Sequence, residues 1–248
     1  ERQVIESLQA GESREEHASL GTAAVIDVSF EVAKGETFVV MGLSGSGKST
    51  LIRMINGLWS PSEGTVEVAG KVVSDMNDAQ LRALRRDHVS MVFQHFALLP
   101  HLTVRENAAY GLKLQGKLKQ KERLEKANEW LNTVGLNGWG DKYPHQLSGG
   151  MQQRVGLARA LAAETDILLM DEAFSALDPL IRREMQDQLL ELQGALNKTI
   201  IFITHDLNEA MYLGDHIAVM RNGRVAQIGT SDEILTQPAD DYVADFVQ

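Results

Sequence analysis

The sequence contains no cysteine. That absence excludes disulfides, cysteine-ligated zinc and thiol nucleophiles, and it is compatible with a reducing compartment. No apolar run approaches the eighteen residues that a membrane-spanning helix needs. Basic residues are fewer than acidic ones: the chain has 24 lysines and arginines and 34 aspartates and glutamates, which gives a formal net charge of -10. We therefore expect no nucleic-acid partner, and only a peripheral role at any membrane.

What the 248 residues do contain is ordinary globular composition, 44% apolar and 23% charged. This length fits one large α/β domain or a domain with an insertion. Patterning divides the chain into a polar accessory segment, 1–22, and a domain, 23–248. Within the domain we predict a core (23–95 and 160–230), an inserted helical subdomain (96–159) and a helical C-terminal tail (231–248).

Short apolar runs bounded by turn residues predict the strands. They lie at 25–32, 37–41, 65–68, 71–73, 88–93, 167–170, 200–203, 217–220 and 225–228. Asn222-Gly223 predicts a two-residue hairpin turn, and Asp178-Pro179 predicts a helix start. The runs at 167–170 and 200–203 are followed at once by polar residues, as at the ligand-binding strand ends of parallel α/β sheets. The pattern predicts an α/β fold with a site at those ends.

A glycine-rich loop follows the strand predicted at 37–41 and matches the P-loop pattern between a strand and a helix. Its glycines let backbone N–H groups face phosphates, and the helix N-terminus adds positive potential. We expect Lys48 to reach the β- and γ-phosphates and Ser49 to give an oxygen to Mg²⁺. The loop therefore predicts binding of ATP with Mg²⁺. The predicted phosphate-binding set is Gly42, Leu43, Ser44, Gly45, Ser46, Gly47, Lys48, Ser49 and Thr50.

Two carboxylates end the apolar run at 167–170. Asp171 is suited to hold hydrated Mg²⁺, and Glu172 is the candidate general base for the attacking water. Alternation along a strand aims the two side chains differently. An acidic strand-end turn would explain the pair taken alone. Together with the P-loop, the pair favours nucleotide hydrolysis.

A second glycine pair, Gly149-Gly150, precedes a helix whose expected N-cap is Ser148. Exposed amides and a hydroxyl at a helix N-terminus suit an anion, although a well-capped helix is the simpler interpretation of these residues alone. The segment 147–154, Leu-Ser-Gly-Gly-Met-Gln-Gln-Arg, resembles the signature motif of the ABC family. In that family the motif presses on the γ-phosphate of ATP held by the other subunit.

The family's remaining motifs follow in order. Gln94 resembles the Q-loop glutamine, the segment 175–178 resembles the D-loop, and His205 resembles the switch histidine. Taken singly, Gln94 would be interpreted as a surface glutamine and His205 as a hydrogen-bonded loop histidine. The resemblance covers about 23–230. It implies a P-loop NTPase (RecA-like) core with a mainly parallel sheet, an antiparallel β subdomain and an inserted helical subdomain.

The resemblance also implies roles for single residues. Gln94 would contact Mg²⁺ and sense the membrane partner, and His205 would contact the γ-phosphate. Asp178 would couple the two sites of a dimer. The residues acting in trans on the other subunit's nucleotide would be Ser148, Gly149, Gly150, Gln152 and Asp178.

A finer similarity, carried by 41–47, 93–101 and 171–182, is to the glycine betaine/proline importer branch. It implies an ATPase subunit that dimerises head to tail around two Mg-ATP at the cytoplasmic face of the inner membrane. Its partners would be transmembrane permease subunits and, indirectly, a substrate-binding protein. The solute would be a quaternary or methylated amine such as glycine betaine, proline betaine, choline or trimethylamine N-oxide. Another small solute is the alternative.

One feature departs from the family pattern. An aromatic residue upstream of the P-loop usually stacks on adenine, yet 1–29 contains no Phe, Tyr or Trp. His17 could take that place, or Leu20 and Val25 could form an apolar platform. The base contact stays open at this point.

Three other functions compete with transport. A soluble ABC ATPase would typically carry coiled-coil inserts, zinc cysteines or tandem cassettes, and a P-loop kinase would give the glycine pair at 149–150 no role. A regulator without turnover is disfavoured because Lys48, Asp171, Glu172 and His205 are all present.

The apolar cluster 96–99 after Gln94 is either packed within the helical subdomain or docks a permease helix.

Overall fold

The computed structural model describes residues 2–10, 22–93 and 97–247. Contacts divide the chain into two units. The first unit comprises 1–32, 38–76 and 203–248, and the second comprises 33–37 and 77–202. Among the helices of the described ranges, none combines the length and the apolar character needed to cross a bilayer.

Strands and helices alternate in parts of the chain, whereas helices follow one another without an intervening strand between 104 and 162. In chain order the helices are α1 (Arg2–Gln9), α2 (Lys48–Ile55), α3 (Asp78–Asp87), α4 (Val104–Ala108), α5 (Tyr110–Gln115), α6 (Gln120–Thr133), α7 (Gly149–Ala162), α8 (Pro179–Leu196), α9 (Leu207–Leu213), α10 (Ser231–Thr236) and α11 (Asp241–Phe246). The strands are β1 (Thr37–Met41), β2 (Glu67–Val68), β3 (Lys71–Val72), β4 (Val89–Val92), β5 (Ile167–Asp171), β6 (Thr199–Thr204), β7 (His216–Arg221) and β8 (Arg224–Gly229).

In the first unit, the strands β1, β7 and β8 are neighbours in that order. β1 and β7 are parallel, with Val39 opposite Ile217, and β7 pairs antiparallel with β8. Asn222 and Gly223 join β7 to β8 with φ angles of 49° and 82°, the left-handed pair that a type I′ turn requires. The hairpin predicted from these two residues is confirmed. The β7–β8 register shifts between Val219 and Met220, so the regular ladder is interrupted there.

In the second unit, the strands lie in the order β4-β5-β6, and β4 is parallel to β5. α4, α5 and α6 pack against α7, and α7 packs against β4. α7 turns Val155, Ala158 and Ala162 to the interior, as its apolar spacing predicts. In the buried core, Phe174 packs against Phe202 of β6, with ring centroids 5.5 Å apart.

The observed elements match most of the predicted ones and correct one of them. The mainly parallel sheet, the separate antiparallel pair β2–β3 and the helical middle segment are confirmed. The strand predicted at 25–32 is wrong: this stretch forms no strand, and Asp27 adopts a left-handed φ of 51° that interrupts an extended run. The domain boundaries at 22/23, 95/96 and 159/160 stay predictions.

Candidate active site

The P-loop needs glycine at two of its positions. Gly42 has φ 154° and Gly47 has φ 103°, conformations that side chains of L residues rarely adopt. A β-carbon at Gly42 would overlap the carbonyl oxygen of Met220, and one at Gly47 would overlap that of Ala24. The loop can therefore approach both backbones only because these residues lack side chains.

Lys48 lies at the centre of this loop and is 4% exposed. Its Nζ donates to the carbonyl oxygens of Gly42, at 2.8 Å, and Leu43, at 3.0 Å. α2 begins at Lys48, and its N-cap, Gly47, provides no side-chain hydrogen bond. A buried ammonium and a helix N-terminus without a side-chain cap thus occur together, which is the arrangement that favours phosphate oxygens.

The remaining P-loop residues differ in their exposure. Leu43, Ser44 and Gly45 are exposed, and Ser46 is buried. Ser49 and Thr50 lie half-buried in the first turn of α2. The residues predicted to bind phosphate are consecutive, and the Lys48 ammonium contacts Gly42, Leu43 and Ser46 among them. The full predicted set is Gly42, Leu43, Ser44, Gly45, Ser46, Gly47, Lys48, Ser49 and Thr50.

The P-loop is supported by residues that sequence reasoning missed. The amide of Gly223 donates to the Ser46 carbonyl at 2.9 Å, and the amide of Ile26 donates to the Gly223 carbonyl at 2.7 Å. Ala24 and Met220 contribute the carbonyls that approach Gly47 and Gly42. These contacts are made by backbone groups distant in sequence, so no local pattern indicates them.

Asp171 and Glu172 differ in conformation although they are adjacent. Asp171 is the last residue of β5 and is 4% exposed. Glu172 leaves the strand with a left-handed φ of 47° and is half-buried. The Ser175 hydroxyl donates to the Glu172 carbonyl at 2.9 Å and fixes the turn. A non-glycine residue in this conformation stores strain, which is common at functional sites.

The signature-like and D-loop-like segments meet within the second unit. Ser148 caps α7, with its hydroxyl accepting from the Met151 amide at 3.3 Å, and Asp178 caps α8 by accepting from the Ile181 amide at 3.1 Å. Both predicted caps are confirmed. A β-carbon at Gly150 would lie 3.1 Å from a Leu177 methyl, so the two segments are in close approach.

Other predicted residues have different surroundings. Ser148 and Gly149 are exposed at the start of α7. The Gln152 amide nitrogen donates to the carbonyls of Pro144, at 3.0 Å, and Leu147, at 3.3 Å, so this side chain ties α7 to the preceding 3₁₀ turn. Its contact with a nucleotide in trans stays a prediction. The predicted residues Gln94, Phe96, His17 and Leu20 lie outside the described residues.

His205 is exposed and lies between β6 and α9. The adjoining Thr204 is buried, donates to the Glu209 carboxylate at 2.5 Å and accepts from the Asp206 amide at 3.0 Å. Asp206 in turn caps α9 by accepting from the Asn208 amide at 2.9 Å. The backbone on both sides of His205 is therefore held by buried or capping hydrogen bonds.

Magnesium prefers oxygen ligands and usually binds through one or two carboxylates plus substrate phosphates. The buried Asp171 carboxylate and the Ser49 hydroxyl are donors of this kind. In the part of the chain that the structure describes, no group of three His, Cys, Asp or Glu residues could hold a metal by itself. Each of these two oxygen groups is of the type that binds a magnesium ion when phosphate oxygens complete its coordination.

Comparison with a family model shows the class of protein. A family model described as "ABC transporter" matches residues 25–175, more than half of the chain. The chain belongs to the ABC transporter family.

Within the family, the chain is similar to ATP-binding proteins of particular transport systems. It is 55% identical over its whole length to the glycine betaine transport ATP-binding protein OpuAA of Bacillus subtilis, and spans 59% of that protein. It is 57% identical over 90% of its length to the glycine betaine/proline betaine protein ProV of Escherichia coli, and spans 55% of it. It is 50% identical over 98% of its length to the trimethylamine N-oxide protein TmoW of Ruegeria pomeroyi, and spans 72% of it.

Solved structures agree with the fold. The dimeric structure of MJ0796, a bacterial ABC transporter cassette, matches with a TM-score of 0.80 and 36% identity, covering 84% of this chain and 90% of that one. A post-hydrolysis dimer of the same cassette bound to ADP and Pi matches equally well. The predicted P-loop NTPase fold class is confirmed.

Proposed function

We propose that the chain is the ATP-hydrolysing subunit of an ABC importer for a quaternary or methylated amine. The observation that carries the proposal is the P-loop around Lys48. A buried ammonium held by the carbonyls of Gly42 and Leu43 stands at a helix N-terminus without a side-chain cap. This arrangement binds phosphate groups by charge and by backbone donors together.

We assign the hydrolytic roles as follows. Lys48 exchanges its carbonyl partners for the β- and γ-phosphates of ATP, Glu172 accepts a proton from the attacking water, and His205 hydrogen-bonds the γ-phosphate. Ser49, Asp171 and Gln94 hold Mg²⁺, which neutralises charge on the phosphates when it is bound. The left-handed conformation of Glu172 supports its role, because that conformation turns the residue out of the strand.

We propose that two copies bind ATP head to tail. The residues that act on the other copy's nucleotide are Ser148, Gly149, Gly150, Gln152 and Asp178. The exposure of Ser148 and Gly149 leaves this helix start accessible to a second chain. The dimeric state of the solved cassette at 36% identity supports the arrangement.

The solute and the membrane partners are inferred from the relatives. OpuAA, ProV and TmoW are ATP-binding proteins for glycine betaine, proline betaine or trimethylamine N-oxide transport. The chain spans 55–59% of OpuAA and ProV. We propose that it acts at the cytoplasmic face of the cell membrane together with permease subunits. A substrate-binding protein would deliver the solute to those permease subunits.

Phosphate release from Mg-ATP by the purified chain tests the enzymatic part. We expect turnover in the wild type, none in Lys48→Ala, and wild-type turnover in Lys121→Ala. Lys121 is a suitable control because its side chain is 88% exposed and forms a surface pair with Glu125. Turnover retained by Lys48→Ala would refute the P-loop assignment.

Transport into proteoliposomes tests the solute. The complete transporter, assembled with its permease and binding protein, is supplied in turn with glycine betaine, proline betaine, choline, trimethylamine N-oxide and unmethylated glycine. We expect one or more methylated amines to stimulate ATP hydrolysis and glycine to have no effect. Stimulation by unmethylated solutes alone would contradict the proposed solute class and leave the ATPase assignment intact.

A further inference from the structure

The turn that precedes Ser148 is tied to helix α7 by the side chain of Gln152. The Gln152 amide nitrogen donates to the carbonyl of Pro144 at 3.0 Å and to the carbonyl of Leu147 at 3.3 Å. A carboxamide nitrogen carries two N–H groups, so these two bonds use both of its donors. Because both partners are carbonyl oxygens, the nitrogen of the carboxamide and not its oxygen must face them. All four residues belong to the second unit.

Other hydrogen bonds close the turn within itself. The Leu147 amide donates to the Pro144 carbonyl at 3.1 Å, and the Tyr143 amide donates to the side-chain oxygen of Gln146 at 2.9 Å. Each of these bonds joins two residues of the segment 143–147. The Gln152 bonds come from the first turn of α7, which begins at Gly149. They therefore set the whole turn against the helix.

The Leu147 carbonyl shares a peptide group with the Ser148 amide. In a trans peptide the carbonyl and the N–H point in opposite directions, and the described residues contain no cis bond. The bond from Gln152 therefore directs the Ser148 N–H away from the Gln152 side chain. Ser148 is exposed, and its hydroxyl is held at the helix start by the Met151 amide at 3.3 Å. Gln152 thus orients the backbone at a helix start of the kind that meets an anion with N–H groups.

We propose that Gln152 is a positioning residue for the phosphate-contacting helix start that one copy offers to the other, a role that rests on the proposed head-to-tail function. Its carboxamide holds the Leu147–Ser148 peptide in one orientation. Gln152 acts on the other copy's nucleotide through Ser148 and does not touch that nucleotide. Its loss should lower hydrolysis by the dimer. The ATP affinity of the single copy should not change, because its own P-loop lies in the first unit.

Gln152→Glu removes both donors at nearly constant size, because a carboxylate at neutral pH only accepts hydrogen bonds. Gln146→Glu is the matched control. Gln146 lies in the same turn, is exposed and accepts from the Tyr143 amide, which a carboxylate oxygen also does. The control therefore adds the same charge without removing a bond. Gln152→Met is neutral and similar in length, and it tests the same two bonds if Gln152→Glu does not fold.

Phosphate release from Mg-ATP measures the loss of positioning. We expect turnover to fall about fourfold to a hundredfold in both Gln152 variants, since two net hydrogen bonds are lost and each contributes about twofold to tenfold. The Kd of the monomer for ATP should stay within about twofold of the wild-type value. Gln146→Glu should keep both the turnover and the Kd.

Mixing subunits distinguishes a fault in trans from general damage. Gln152→Met mixed with Lys48→Ala should release phosphate faster than the sum of the two variants measured apart. The mixed dimer combines the P-loop of the Gln152 variant with the undisturbed Ser148 of the Lys48 variant. Ser148→Arg mixed with Lys48→Ala is the reference pair, because its fault lies at the helix start itself.

Hydrogen–deuterium exchange without nucleotide separates positioning from direct contact. The Leu147 and Met151 amides should exchange faster in Gln152→Met than in the wild type, and peptides from the first unit should not change. A residue that acts only by touching the nucleotide would leave this exchange as it is. Unchanged exchange at both amides therefore overturns the inference about Gln152, and so does wild-type turnover in Gln152→Met.

The reference pair keeps the two possible failures apart. If the wild type does not hydrolyse ATP, or the reference pair shows no gain on mixing, the proposed function is wrong and the inference about Gln152 falls with it. If the reference pair gains turnover and the Gln152→Met pair does not, the proposed function stands and the inference is wrong. A weaker Kd for ATP in the Gln152→Met monomer also overturns the inference, because the fault would then lie in that copy's own site.

Discussion

Replacing Thr204 by valine should loosen the turn that carries His205. Thr204 is 2% exposed, and its hydroxyl serves two partners, the Glu209 carboxylate at 2.5 Å and the Asp206 amide at 3.0 Å. Valine has nearly the same shape but lacks the hydroxyl. Glu209, itself 6% exposed, would keep its buried position without this donor. The variant therefore tests hydrogen bonding with little change in packing.

The expected magnitude follows from the two bonds. A hydrogen bond to a charged group contributes about 1.5–3 kcal/mol to stability, and one between neutral groups about 0.5–1.5 kcal/mol. Glu209 and Asp206 each make a further interaction, which limits the loss. We expect the free energy of unfolding to fall by about 2–3 kcal/mol. For a chain of this length, that corresponds to a Tm lower by about 4–12 °C.

Thermal unfolding and phosphate release measure the two consequences. Thr204→Ser is the matched control, because serine keeps the hydroxyl and removes one methyl group, at a cost of about 1 kcal/mol. We expect Thr204→Val to lose turnover well below its Tm, since His205 adjoins the disturbed bonds, and Thr204→Ser to retain it. Equal Tm and equal turnover in the two variants would show that neither hydrogen bond supports the His205 turn.

Three further variants test the proposed machinery. Glu172→Gln should bind ATP while turnover falls about 10²–10⁴-fold, the contribution of a positioned base. It should also lock a dimer in Mg-ATP, so a monomer in light scattering or near-normal turnover would contradict its role. Ser148→Arg should abolish hydrolysis without weakening ATP binding to the monomer. Mixing it with Lys48→Ala should restore one composite site at most, and full activity of Ser148→Arg alone would exclude action in trans. Gly47→Ala should abolish ATP binding because its β-carbon would overlap the Ala24 carbonyl. Gly194→Ala in α8 is the control, since no atom lies within 4 Å of the position of its β-carbon. This control should raise the free energy of unfolding by about 0.5–1 kcal/mol. Normal ATP affinity in Gly47→Ala would refute the close approach.

Local chemistry was the part of the fold that the sequence predicted well. Ser148 and Asp178 cap α7 and α8, and Asn222-Gly223 makes the hairpin turn. Each of these signals acts over two to four residues, because the side chain bonds to backbone groups of its own turn. The P-loop could be predicted for the same reason, because its residues, 42–50, are consecutive in the sequence.

Long-range backbone approach was the part that the sequence could not predict. Met220, Ala24 and Gly223 support the P-loop through carbonyl and amide groups that every residue possesses. Nothing in their side chains distinguishes them before the chain is folded. The strand predicted at 25–32 failed for a related reason, since its β-type composition carries no sign of the left-handed turn at Asp27.

The left-handed backbone of Glu172 sets activity against stability at that position. A glutamate with φ 47° is strained by about 1–2 kcal/mol relative to a residue that enters this region freely. Glycine or asparagine at position 172 would release that strain and abolish turnover. Variants selected only for heat resistance would therefore accumulate substitutions at position 172 that abolish hydrolysis. The glutamate is kept only where hydrolysis itself is under selection.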